Sequence, residues 1–283
     1  MQLTGTGIWS RELRFHEDEG AIAEAAAELE ELGYSALWLP GSRGGDIFGA
    51  CERVLDATSR VPVATGIVNV WMHEPAASAA AHARLTSAHP GRFLLGIGIS
   101  HAALIEQYRR PLATMRDYLD GLDAADPPVP VDERVIAALG PRMLALSAER
   151  TAGTHPYLVT PEHSRIAREA VGPGKLVAPE QTVVLETDSA HARERGRGFL
   201  AGYLAMPNYT NNLRRLGFGD EDVADGGSDR LVDAVVAWGE PEAIAARVAE
   251  HLAAGADHVC IQVAGVARGE LPLAQWRALA PML

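Results

Sequence analysis

Apolar runs and helix-period stretches alternate along this chain from end to end. The runs "SALWLPGS", "VPVATGIVNV", "GRFLLGIG", "QTVVLET" and "HVCIQV" lack a 3.6-residue period and are far too short to span a membrane. Each reads as a strand buried on both faces, the pattern of a parallel sheet covered by helices. Residues 7–10, 134–139 and "HPYLV" complete a set of eight strands. Helical stretches fill the gaps at 17–32, 46–59, 74–89, 112–122, 141–151, 161–171, 189–206, 229–238, 241–254 and 271–280. Gly33 stands where a left-handed C-cap belongs, Asp46 where an N-cap belongs, and Pro75, Pro141 and Pro161 each sit in a first turn. Eight strands, each followed by helix, in 283 residues predict a closed (β/α)8 TIM barrel. A doubly wound open sheet with a small extra domain is the runner-up. The alternation runs straight through "PPVP" at 127–130, so that stretch reads as a loop, and residues 1–283 are expected to form a single domain.

Composition narrows the picture. With 47% hydrophobic and 22% charged residues the chain has ample material for a core. The net charge of −12, with scattered cations and Lys175 as the sole lysine, argues against a general nucleic-acid surface. Cys51 and Cys260 show no metal or disulfide spacing and read as reduced core residues. The start "MQLTGTGIWS" is unlike a secretory signal, and a cytoplasmic location without membrane contact is expected.

In a barrel, chemistry belongs at the carboxyl ends of the strands. The candidate segments are therefore "IWSREL", "LPGSRGGD", "GIVNVWMHE", "GISHAAL", "ALGPRM", "YLVTPEH" and "VLETD". His73 and His82 are too far apart for an i, i+4 metal pair, and the chain has no HExxH, CxxC or G-x-S-x-G, so neither metal nor a nucleophilic triad is expected. "GIGISH" lacks the third glycine of a dinucleotide turn. A barrel aldolase or isomerase needs a base at a strand end, and Lys175 precedes the seventh strand at the wrong face.

Taken together, "LGYSALWLPGS", "VPVATGIVNVW", "HPGRFLLGIGISH", "YRRPLATMRDYLD", "ALGPRMLALSAERTAGTHPYLVTPEH" and "MPNYTNNLRRLGF" resemble the luciferase-like monooxygenase superfamily, in particular its actinobacterial deazaflavin-dependent branch. The resemblance implies a luciferase-like barrel, with insertions in its βα loops, that binds 8-hydroxy-5-deazaflavin (coenzyme F420) or, alternatively, FMN at its mouth. It implies hydride transfer to or from a small organic substrate, and family habit suggests a homodimer. The family's third strand carries a bulge with a non-prolyl cis peptide against the ring, and Gly66 and Ile67 match it. Asn69 follows, either as a ring contact or as a turn cap. Ser100 and His101 leave the fourth strand, where the family lines its pocket, and His101 is the side chain suited to proton transfer near neutral pH.

The phosphate end falls on the fifth and sixth strands in this family. On one, Leu139, Gly140 and the helix start after them are the matching positions, with Arg142 adding charge; on the other Thr160 stands likewise, or serves only as a helix cap, and His155 and Tyr157 face either the pocket or the core. Arg43, Arg109 and Arg110 are candidates for a rim engaging an acidic tail. Asn208, Tyr209, Asn211 and Asn212 form a polar cluster suited to a lid or an interface. One departure stands out: many relatives end the second strand with an acid or histidine, and here Pro40, Gly41 and Ser42 stand instead, with Asp46 placed as a cap. That absence keeps a second reading open, a non-catalytic cofactor-binding barrel or partner subunit.

Overall fold

The structure, a computed structural model, describes residues 2–41 and 44–282. Met1, Ser42, Arg43 and Leu283 lie outside it, so the expectations placed on Ser42 and Arg43 concern residues beyond the described ones.

Each apolar run of the sequence becomes a strand because both of its faces find cover. In the strand Leu37–Leu39, Leu37 and Leu39 pack with the helices, while Trp38 points the other way into a cluster with Ala64, Leu94, Val135 and Cys260 from neighbouring strands. The strands are β1 (Gly5–Trp9), β2 (Leu37–Leu39), β3 (Val63–Thr65), β4 (Val68–Asn69), β5 (Phe93–Gly98), β6 (Arg134–Ile136), β7 (Gly153–Thr154), β8 (Leu176–Val177), β9 (Glu180–Val184), β10 (Val236–Trp238) and β11 (His258–Val263). All pair in parallel, in the order β10-β9-β11-β1-β2-β3-β5-β6-β7-β8 with β4 beside β5, giving a curled parallel sheet.

Helices α1 (Glu12–Phe15), α2 (Glu19–Glu31), α3 (Ile47–Asp56), α4 (Pro75–Ala88), α5 (Pro111–Asp123), α6 (Pro141–Arg150), α7 (Pro161–Val171), α8 (Ser189–Leu204), α9 (Pro207–Arg215), α10 (Asp220–Val223), α11 (Asp229–Val235), α12 (Pro241–Ala253) and α13 (Leu273–Leu279) connect the strands. Their starts follow the sequence signals. Asp18 caps α2 through Gly20 and Ala21, and Asp46 caps α3 through Gly49. Gly33, at φ +88°, lets the chain turn out of α2 toward β2.

The structure corrects several boundaries. "HPYLV" is a loop rather than a strand: β7 is the two residues before it, and Leu158 takes a positive φ of 56°. The third expected strand is broken between Thr65 and Val68. The stretch 229–238 is helix only to Val235 and then turns into β10, whose β-branched start periodicity alone does not reveal. Among the described residues no helix is long and apolar enough to cross a membrane, and no group of metal-ligating side chains occurs.

Candidate active site

A cavity of about 550 Å³, within the range that holds organic cofactors, opens where the strands end. From β1 comes Trp9, whose Nε1 donates to the Gly66 carbonyl oxygen at 3.2 Å, followed by Arg11 and Phe15. From β2 come Pro40 and Gly41. The buried Arg14 guanidinium pins their loop, donating to the carbonyl oxygens of Pro40, Gly41, Gly44 and Gly45, and burial lowers its pKa. Gly41 has to be glycine: a Cβ there would stand 1.6 Å from the Ile67 carbonyl oxygen.

Between β3 and β4 the Gly66–Ile67 peptide is cis, as the family resemblance implied, and both residues line the cavity. Asn69 closes a turn and also lines the cavity. Its Oδ1 accepts from the Trp71 N–H at 3.0 Å, with its amide nitrogen left over. After β5 the chain turns through Ser100, at φ 59°, and presents His101. His101 Nδ1 lies 2.7 Å from Asn208 Oδ1 at the start of α9, and its ring lies 5.0 Å from that of Tyr209. Burial lowers the His101 pKa, with the Asn208 hydrogen bond acting the other way.

After β7, His155 Nδ1 donates to the Ala178 carbonyl oxygen at 2.7 Å, while Nε2 is buried without a hydrogen-bond partner beside Gly66. Tyr157 donates to Gln262 Oε1 at 2.6 Å and shares a 2.8 Å hydrogen bond with the Tyr203 hydroxyl. The loop carrying Tyr157 is held from below: the buried Glu180 carboxylate accepts from the Leu158 N–H and from the Thr182 hydroxyl. Burial pushes the Glu180 pKa up to about 7 against those two hydrogen bonds.

Seven of the ten expected site residues therefore meet at one cavity: Gly66, Ile67, Asn69, Ser100, His101, Leu139 and Tyr157. Gly140, Arg142 and Thr160 are not in its lining. Gly140 precedes α6 one residue beyond Leu139, Arg142 points to solvent, and Thr160 is buried at the start of α7 without capping it through its side chain. Arg109 and Arg110 are exposed and outside the lining. Of the polar cluster, Asn208 and Tyr209 reach the cavity, whereas Asn211 does not.

A second group gathers near Gly140, of which the sequence pattern singles out Asn212 but neither Arg215 nor His163. Arg215 Nη2 would lie 3.6 Å from a Cβ on Gly140 and donates to Asn212 Oδ1 at 3.2 Å. Asn212 Nδ2 is buried without a partner. His163 Nε2 donates to the Leu139 carbonyl oxygen, its Nδ1 is also unpartnered, and the nearby Arg215 cation is one cause of its lowered pKa, after burial. Gly140, His163 and the pair Asn212 and Arg215 come from three separate stretches of the chain, and no local pattern joins them.

The site is thus an open, mostly apolar cavity at the ends of parallel strands in an α/β protein. The sequence profile of the luciferase-like monooxygenase family matches residues 10–258, and the chain belongs to that family. A Mycobacterium tuberculosis protein named as a coenzyme F420-dependent oxidoreductase is 28% identical over 148 residues, 47% of this chain and 42% of the relative, so the match spans less than half of that protein. Among solved structures, an F420-dependent secondary alcohol dehydrogenase in complex with an F420-acetone adduct superposes with a TM-score of 0.76 at 13% identity, covering 100% of this chain and 98% of the other. An FMN complex of the oxygenating constituent of 3,6-diketocamphane monooxygenase from Pseudomonas putida gives 0.67 at 15%, covering 98% and 96%. At these identities the two structures establish the shared fold.

Proposed function

We propose that the chain is an oxidoreductase that binds coenzyme F420, with FMN as the alternative, and passes hydride between that cofactor and a small organic substrate. One arrangement carries the reading: a cavity at the strand ends is lined by Leu139, and the next residue, Gly140, lies beside the Arg215 guanidinium at the start of α6. The residues present fit such a ligand. Asn69 and the unpartnered His155 Nε2 offer hydrogen bonds to a heteroaromatic ring at the cavity, and Gly66 keeps the floor free of a Cβ. Arg215, the unpartnered Asn212 Nδ2 and the first turn of α6 suit a phosphate.

When bound, the cofactor supplies the hydride chemistry, and the protein supplies orientation and electrostatics. Trp9, Phe15, Tyr203, Met206 and Tyr209 exclude water from the mouth. Among the described lining residues there is no carboxylate, so the proton has to be handled by another group, and His101 is the side chain placed for it. The same absence favours the second reading, a barrel that binds the cofactor without turning over, although the cavity is open rather than plugged.

The curled sheet is read as a closed eight-stranded barrel forming one domain over residues 1–283. The support is that β8 and β9 are successive pieces of one stretch, the first paired with β7 and the second with β11, which in turn pairs with β1. A cytoplasmic homodimer acting on a small molecule completes the proposal, with sedimentation testing the dimer. The function is tested by titrating the purified protein with F420, FMN and riboflavin under fluorescence detection. Binding of F420 or FMN well above riboflavin supports the proposal, and binding of neither overturns it. Binding without hydride transfer to any of a panel of alcohols and carbonyl compounds returns the chain to the non-catalytic reading.

A further inference from the structure

We propose that Asn208 is a positioning residue that holds His101 with its Nδ1 protonated and its Nε2 presented to the cavity as the acceptor of a substrate proton. This rests on the oxidoreductase reading above and adds to it a residue that the sequence had suggested only for a lid or an interface.

The geometry is a hydrogen bond across the mouth. His101 belongs to the loop after β5, and Asn208 lies in the first turn of α9, 107 residues further on. Their contact of 2.7 Å joins Nδ1 to an amide oxygen, which only accepts, so the proton of the neutral ring sits on Nδ1 and Nε2 keeps its lone pair. Two features fix the ring from other sides: the left-handed turn at Ser100 that delivers it, and the Tyr209 ring at 5.0 Å.

The other ionisable groups of the lining cannot take this part. Burial raises the pKa values of Tyr157, Tyr203 and Tyr209, with Tyr203 at about 12, and it holds His155 down at about 4. Arg11 carries a guanidinium, which does not release its proton in proteins. Tyr209 on α9 is the titratable group in ring contact with His101, and Tyr157 from the loop after β7 and Tyr203 on α8 stand behind it at 6.2 and 5.5 Å from Tyr209. None of these carries charge near neutral pH, so the imidazole meets a neutral wall.

An amide partner orients the ring without adding a negative charge, and burial lowers the His101 pKa, which favours the neutral ring that accepts a proton. In the proton step a substrate O–H bond breaks, an H–Nε2 bond forms, the electron pair stays on the substrate oxygen, and the imidazolium continues to donate from Nδ1 to Asn208. The reverse step returns the proton.

The test uses the full-length chain and two variants, Asn208→Leu and Asn208→Asp. In 15N NMR of the unliganded wild type, His101 is expected as the Nδ1–H tautomer, titrating below an ordinary histidine. Asn208→Asp should keep that tautomer and raise the midpoint by about one unit or more, because a carboxylate favours the imidazolium. Asn208→Leu should lose the tautomer preference. In the cofactor-loaded protein, kcat should fall about tenfold or more in Asn208→Leu at similar KM, and Asn208→Asp should recover activity with its acid limb moved to higher pH. An Nε2–H tautomer in the wild type, or a Leu variant with wild-type tautomer and pH profile, overturns the proposal. If the wild type binds neither F420 nor FMN, the oxidoreductase reading fails on its own, while the tautomer measurement still decides whether Asn208 sets His101.

Discussion

The imidazole of His155 lies stacked on the indole of Trp38, ring centroids 4.2 Å apart and planes 17° from parallel. The same indole donates from Nε1 to His258 Nε2 at 3.1 Å, so one buried tryptophan orders two buried histidines under the cavity. A third, His251, is sealed between Ser164 and Gln181. Burial keeps all three neutral: the pKa values of His155 and His258 fall to about 4 and that of His251 to about 3.

These histidines predict an acid-sensitive fold. Unfolded, each takes up a proton near pH 6.5, whereas folded it stays neutral until about pH 4, so stability is full above pH 6.5 and is lost as the pH falls. Glu180 works in the opposite sense, since its raised pKa means that the folded state holds the extra proton between about 7 and 4.5. His82, likewise buried and lowered to about 4, adds a fourth, and four protons against one leave about three, a slope of about 4 kcal/mol per pH unit between roughly pH 6 and 4.5. Urea unfolding at several pH values measures it; a flat profile over that window contradicts the burial argument.

Close packing at the cavity floor predicts which glycines matter. A Cβ on Gly41 would meet the Ile67 carbonyl oxygen, and one on Gly66 would stand 2.5 Å from Trp9 Nε1 and 3.2 Å from His155 Nε2. Gly41→Ala and Gly66→Ala should each cost about 1–3 kcal/mol, felt as weakened cofactor binding or as lost stability. Gly198 on the exposed side of α8 has open space around it, and Gly198→Ala should add about 1 kcal/mol of stability and leave binding alone. Thermal melts beside cofactor titrations separate the two outcomes; equal effects at all three positions would falsify the packing account.

Arg215 should report on a phosphate. Arg215→Ala is expected to weaken FMN or F420 by about tenfold to a hundredfold, the loss of a charged hydrogen bond, while leaving riboflavin, which lacks the phosphate, unchanged. An equal loss for riboflavin would mean that the arginine acts through the fold instead.

Much of this architecture was legible in the chain. Strands buried on both faces write continuous apolar runs, and a proline marks the first turn of a helix, which is why α7 and β11 fall where the pattern put them. His101 was legible because a strand end delivers its next residues to the mouth, whereas Gly66 and Asn69 were matched through the family resemblance. What stayed hidden depends on long-range meeting. The His101–Asn208 bond and the Arg215–Gly140 approach join residues far apart in sequence, and no local period encodes them. Gly140, Arg142 and Thr160 were placed from helix starts, whose direction depends on how the loop before them turns. The positive φ of Leu158, fixed by Glu180 from another strand, is that kind of turn.

On the proposed function a planar redox cofactor lies in the cavity between Gly66–Ile67 and the His101–Asn208 pair, with its phosphate beside Arg215. A crystal structure of the protein grown with F420 measures this most directly. The account predicts difference density for the ring against Gly66 and Ile67, within hydrogen-bond reach of Asn69, and for the phosphate at Arg215 and the first turn of α6. Density for the ring elsewhere, or an empty cavity at saturating cofactor, would contradict it.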